Sequence, residues 1–269
     1  MQKVALVTGA TRGIGRAIAL ALGSAGFATV VTGRTMAAGT GRHDGMDMAV
    51  PGSVEETVAA IADAGGTAIG VRLDLLDRTS IDAAIAAAVD RFGRLDVVVN
   101  NGIYQGPMVR QTMMEVDIAD AERSMLGNVV NQFHLTREAI RVMAPQGGGR
   151  IIFMSTHSSV IPAMGSSGLF YNGPKAAFNR IADYVQFEHA KDDVLAFLIE
   201  PGFTMTDTLE ATMGKAALTA FGPSAQPRHP DETARTVVWL ASDPDAARFA
   251  TPAMINAPDF FADTGLTPP

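Results

Sequence analysis

The chain of 269 residues is 47% hydrophobic and 18% charged, with 27 glycines, 14 prolines and no cysteine. That composition suits a packed globular protein and excludes a disordered or collagen-like chain, a disulfide framework and any thiolate chemistry. The net charge of −7 disfavours nucleic-acid and anionic-membrane partners, since both need a basic face. The longest wholly apolar run, residues 83–89, is far short of the roughly 20 residues of a membrane span. The first apolar run breaks at Thr8-Gly9, unlike a signal peptide, so a cytoplasmic protein is expected.

Short β-like runs alternate with helical stretches along the chain. Residues 4–7 read as a strand, 14–22 as a helix and 28–32 as a strand, followed by an irregular stretch over 35–52. Ser53 with Glu56 three residues later is a capping-box signature for a helix to about residue 64. A strand over 67–73, a helix over 79–92 and a strand over 95–99 follow. A long helix is predicted between about 117 and 143, stopped by Pro145 and three glycines. Then come a strand at 151–154, a helix at 176–189, a strand at 194–199 and a helix at 231–242, with a seventh strand near Met254-Ile255. Apolar strands alternating with helices predict a parallel sheet covered on both faces. With neither a linker nor a repeat, this reads as one doubly wound Rossmann-type domain spanning residues 1–269.

Gly9, Gly13 and Gly15 lie between the first strand and the first helix. Glycine there lets the backbone turn tightly and approach a pyrophosphate at the positive end of the helix. Strand before and helix after are the context this motif requires. Further on, Tyr171 precedes Lys175 by four residues, which puts an ammonium beside a phenol on one helix face. A phenol ionises near pH 10, and such a neighbour favours its anion. Pro174 places this pair in a first helical turn, where proline is tolerated.

The Thr-Gly-x-x-x-Gly-x-Gly spacing, Asp74-Leu75, Asn100-Asn101-Gly102, Asn128, Tyr171-x-x-x-Lys175 and Pro201-Gly202 occur in order over nearly the whole chain. In this the sequence resembles the short-chain dehydrogenase/reductase family. The resemblance implies an NAD(P)-dependent oxidoreductase that moves hydride between the nicotinamide and a carbonyl or alcohol carbon of a small substrate. It implies a phosphate loop of Gly9, Thr11, Arg12, Gly13, Ile14 and Gly15, and an adenine contact at Asp74 and Leu75. Asn101, Gly102, Pro201, Gly202, Thr204 and Thr206 would complete the cofactor site with Tyr171 and Lys175. Tyr171 would be the general acid/base, Lys175 would lower its pKa and bind the ribose, and Asn128 would hold a relay water. A nearby hydroxyl would polarise the substrate carbonyl. Counting forward along the fifth strand gives Thr156, counting back from the tyrosine gives Ser158, and both stay open. Ser155 should face the other side of the strand.

At the end of the second strand, where the family's acidic residue grips the ribose of NAD, this chain has Gly33-Arg34. A guanidinium pairs with a 2′-phosphate, which favours NADP(H) over NAD(H), with Arg12 as a second positive group. Arg42, His43, Asp44 and Asp47 lie in the irregular stretch and can reach the adenosine end. Three departures from the family pattern stand out: Ile103 at a usual glycine, Pro174 before the lysine, and Pro258-Asp259-Phe260-Phe261 near the end. The five histidines are scattered without metal-ligand spacing. Met108, Met113, Met114, Met154, Met164, Met205 and Met213 read first as core filling and second as adaptable pocket lining. Residues 203–228 look like a segment covering the substrate. The resemblance suggests a homotetramer or homodimer. The readings set against hydride transfer are a non-catalytic dinucleotide sensor and an epimerase or dehydratase using the same site.

Overall fold

The computed structural model describes residues 1–162, 168–214, 227–251 and 253–269. Its elements are, in chain order, β1 (Val4–Val7), α1 (Gly13–Ser24), β2 (Ala28–Gly33), α2 (Val54–Asp63), β3 (Thr67–Arg72), α3 (Arg78–Phe92) and β4 (Val97–Asn100). Next are α4 (Ile118–Met125), α5 (Asn131–Met143), β5 (Gly149–Met154), α6 (Leu169–His189), β6 (Val194–Glu200) and α7 (Asp207–Met213). The last are α8 (Pro230–Ser242), β7 (Met254–Asn256) and α9 (Phe260–Thr264).

The strands form one parallel sheet in the order β3-β2-β1-β4-β5-β6-β7. β1 shows why both faces are apolar. Its Val4 and Leu6 pack with α3, α5 and α6, while Ala5 and Val7 pack with α1, α2 and α8. All four are fully buried, and burying one such side chain stabilises by about 1.5–3 kcal/mol. β3, at the sheet edge, is the exception to the expectation of two buried faces. None of its residues is buried, because β3 has a neighbour on one side only. The chain crosses from β3 back to β4, so the strand order reverses between β1 and β4. That switch point opens a crevice at the carboxyl ends of these strands.

Ser53 caps α2 as the sequence predicts, accepting from the Glu56 amide at 3.1 Å. The long helix predicted over 117–143 is two α-helices joined by a π-helical stretch, Leu126–Val130, which contains Asn128. The helix predicted from 176 begins seven residues earlier, at Leu169. Pro174 therefore sits in the second turn, not the first, and its missing N–H leaves the Phe170 carbonyl without its helical donor. The Ser124 hydroxyl, from α4, donates to that carbonyl at 3.4 Å. A tertiary contact thus replaces the bond that a local reading takes as obligatory. Of the segment predicted to cover the substrate, residues 215–226 lie outside the described residues, as does Met164.

Candidate active site

The glycine loop leaves β1 beneath the end of β4. Thr8 joins the two strands by accepting from the amides of Asn101 at 3.0 Å and Gly102 at 2.8 Å. Asn101 answers with its side-chain amide, which donates to the Thr8 carbonyl at 2.9 Å. Gly9 and Gly13 have positive φ, at +64° and +53°. A Cβ on Gly15 would stand 2.3 Å from the Gly9 carbonyl oxygen, so no side chain fits there. The cradle admits a ligand's phosphates only because these three residues are glycine, and that is the fit a dinucleotide needs.

Two connected hollows run over this loop and share Gly9, Thr11, Arg12, Gly102 and Ile103 as a common floor. The adenosine-side hollow is bounded by Gly33, Arg34, Arg42, His43, Asp44, Asp74 and Leu75. Residues 35–52 roof it. The stretch is held by a bridge between Arg42 and Ala49 and by the Arg12 side chain, whose Nε donates to the Pro51 carbonyl at 2.6 Å. Arg34 forms an ion pair with Asp44. Asp74 accepts from the Leu76 amide at 2.9 Å, which sets the turn carrying Leu75. A Cβ at position 33 would lie 2.6 Å from Cγ2 of Thr11, so a side chain there requires the Thr11 methyl to move.

The second hollow is bounded by Ile14, Met154, Ser155, Tyr171, Lys175, Pro201, Gly202, Phe203, Thr204, Thr206 and Leu209. Tyr171 and Lys175 project from one face of α6. The Lys175 ammonium is buried and donates to the Met154 carbonyl. Burial lowers its pKa to about 8, with the Glu200 carboxylate pulling the other way. The surroundings of Tyr171 act against the lowering of its pKa that the resemblance implies. Burial pushes the phenol above its ordinary value and Glu200 adds to the push, so the phenol keeps its proton at neutral pH.

Thr156 and Ser158 share one short turn after β5, their hydroxyls 3.0 Å apart. Ser158 donates to Asn172 at 2.7 Å, and Thr156 bonds to the Glu200 side chain. Ser155 follows the strand alternation, its hydroxyl turned to Asn179 at 2.6 Å, although part of it still borders the hollow. The Asn128 side chain is committed elsewhere. It accepts from the Tyr104 amide at 2.7 Å, and donates to the Tyr104 carbonyl at 2.9 Å and to Ser124 at 3.3 Å.

Sequence reasoning missed Glu200. Its carboxylate accepts from Gly202 at 2.7 Å and from the His157 amide, tying the end of β6 to the hydroxyl turn. The available signal was an acidic residue closing an otherwise apolar strand, directly before Pro-Gly. Among the described residues, no cluster of His, Asp or Glu is arranged to hold a metal, and no helix is long and apolar enough to cross a membrane.

A doubly wound sheet with a glycine cradle at its switch point and a Tyr-Lys pair across the crevice defines a dinucleotide-dependent oxidoreductase. Residues 3–216 match the family model described as short chain dehydrogenase. An uncharacterized oxidoreductase of Methylorubrum extorquens is 34% identical over 264 residues, covering 95% of this chain and 96% of the relative. A 3-oxoacyl-[acyl-carrier-protein] reductase of Synechocystis is 33% identical over 247 residues, or 91% of each chain. The crystal structure of a putative gluconate dehydrogenase from Agrobacterium tumefaciens matches with a TM-score of 0.77 at 27% identity, covering 97% of this chain and 96% of that one. The chain belongs to the short-chain dehydrogenase/reductase family.

Proposed function

We propose that the protein is an NADP(H)-dependent reductase of small, largely apolar ketones, working as a single catalytic unit over residues 1–269. The observation that carries this reading is Tyr171 beside a buried Lys175, both facing the hollow that the glycine cradle borders. The bound nicotinamide would supply hydride to the carbonyl carbon. Tyr171 gives its proton to the developing alkoxide. Lys175 steadies the resulting phenolate while it remains charged. To donate to the carbonyl oxygen, Thr156 would turn from Glu200, or Ser158 from Asn172, since neither borders the hollow in this structure. With the Asn128 side chain occupied by Tyr104, a relay water at this residue would use the backbone of the π-helical stretch, where the carbonyl ladder is displaced.

Arg12, Arg34 and Arg42 around the adenosine hollow support NADP(H). Ile103, Met154, Phe203 and Leu209 support an apolar substrate, and the name of the Synechocystis relative fits a keto group. The family also supports a homo-oligomer. A panel of aliphatic, alicyclic and aromatic ketones, followed by dinucleotide absorbance with NADPH and with NADH, tests the reading. Turnover of at least one ketone with NADPH preferred is expected. Oxidation of alcohols with NAD as the sole productive pairing would overturn it.

A further inference from the structure

We propose that two carboxylates of this chain, Asp207 and Asp44, hold the phosphate positions of the dinucleotide groove and are exchanged for the cofactor's phosphates on binding. The first position is the amino end of α1. The Gly13 amide there donates to Oδ2 of Asp207 at 2.7 Å, a contact across 194 residues of sequence. α1 has no acidic residue in its own first turn, so Asp207 supplies the only carboxylate described at that positive end. A pyrophosphate oxygen on the same cradle would use the same donor. The second position is Arg34, paired with Asp44. Arg12 stands between the two and feels both carboxylates, along with repulsion from Arg34.

Neither carboxylate is needed by the element that carries it. α7 is already capped by Thr206, whose hydroxyl accepts from the Leu209 amide at 3.1 Å. The 35–52 stretch is held by its own backbone, with His43 donating to Met48 at 3.0 Å and Val50 to Gly41 at 3.2 Å. Charge arithmetic agrees. Arg12, Arg34 and Arg42 against Asp44 and Asp74 leave the adenosine wall at +1. His43 adds nothing at neutral pH, because burial lowers its pKa. With Asp44 turned away the wall carries +2, which matches a phosphate monoester of about −1.5 to −2.

Calorimetric titration of NADPH and NADH into wild type, Asp207→Asn and Asp44→Asn at low salt tests the exchange. Asp207→Asn should tighten both dinucleotides by a similar factor, about fivefold, since both carry the pyrophosphate. Asp44→Asn should tighten NADPH by about fivefold and leave NADH unchanged. Unchanged or weaker binding in both variants would overturn the proposal and make the carboxylates scaffolding. The Asp44 arm rests on the NADP(H) reading, whereas the Asp207 arm does not. Wild-type protein that binds NADH more tightly than NADPH would sink that reading while leaving the Asp207 result decisive for the exchange.

Discussion

The two ends of the cofactor groove use charge in opposite ways. At the Tyr171 end, Lys175 is buried and Glu200 partly so, and desolvation moves the pKa of all three groups. At the adenosine end the cations sit nearer to water. The Arg34 side chain is 39% exposed, and its pair with Asp44 is open to screening by salt. Burial makes the first end a place where proton affinity is set. Exposure makes the second a place where ions are selected and exchanged at little cost to folding.

Removing the phenol is the sharpest way to separate the two ends. Tyr171→Phe should lower ketone reduction by roughly 100- to 10,000-fold while calorimetric NADPH affinity stays unchanged. A variant that keeps most of its activity would dissolve the distinction. The pH profile comes next. Tyr171 stays protonated through neutrality and Lys175 loses its charge above a pKa of about 8. Reduction at saturating substrate should therefore be flat below pH 8 and decline above it, and an acid-side maximum near pH 6 would contradict that assignment.

At the other end, Arg34→Ala should shrink the NADPH-over-NADH preference by about 1 kcal/mol, or roughly fivefold, at low salt. The difference from wild type should close in 0.5 M salt. A salt-independent loss would mean that Arg34 is buried on binding and belongs with the first kind of site. The smallest expected effect concerns the helix beneath Tyr171. Ser124→Ala should cost about 1 kcal/mol of stability, because it leaves the Phe170 carbonyl without a donor. In a Pro174→Ala background the helix regains its own N–H, and the cost of Ser124→Ala in urea denaturation should shrink. Equal costs in both backgrounds would show that the contact carries no such duty.

Much of this was legible because it is local. The capping box at Ser53, the glycine spacing and the apolar runs each declare an element within a few residues. The start of α6 was not, because Gly173-Pro174 reads as a break and the compensating Ser124 hydroxyl lies 50 positions away in sequence. The guanidiniums at 12 and 34 were visible as charges, but the partner at 44 is brought in by the fold of the 35–52 stretch. Asp207 against Gly13 spans even more chain. The upward push on the Tyr171 pKa was not legible for a related reason. A lysine four residues away is sequence information, whereas desolvation and the Glu200 carboxylate are supplied by packing.

The closeness of Thr11 to Gly33 has a bearing on how cofactor preference can change over generations. A single replacement of Gly33 by aspartate would bring its Cβ to 2.6 Å from the Thr11 methyl, so Thr11 would have to turn aside. A smaller residue at position 11 would relieve that contact, and because Thr11 borders both hollows the same change bears on how a cofactor is seated. Change at position 33 is thus coupled to the residue at position 11, and a library that varies both together should return more folded, cofactor-binding protein than one that varies position 33 alone.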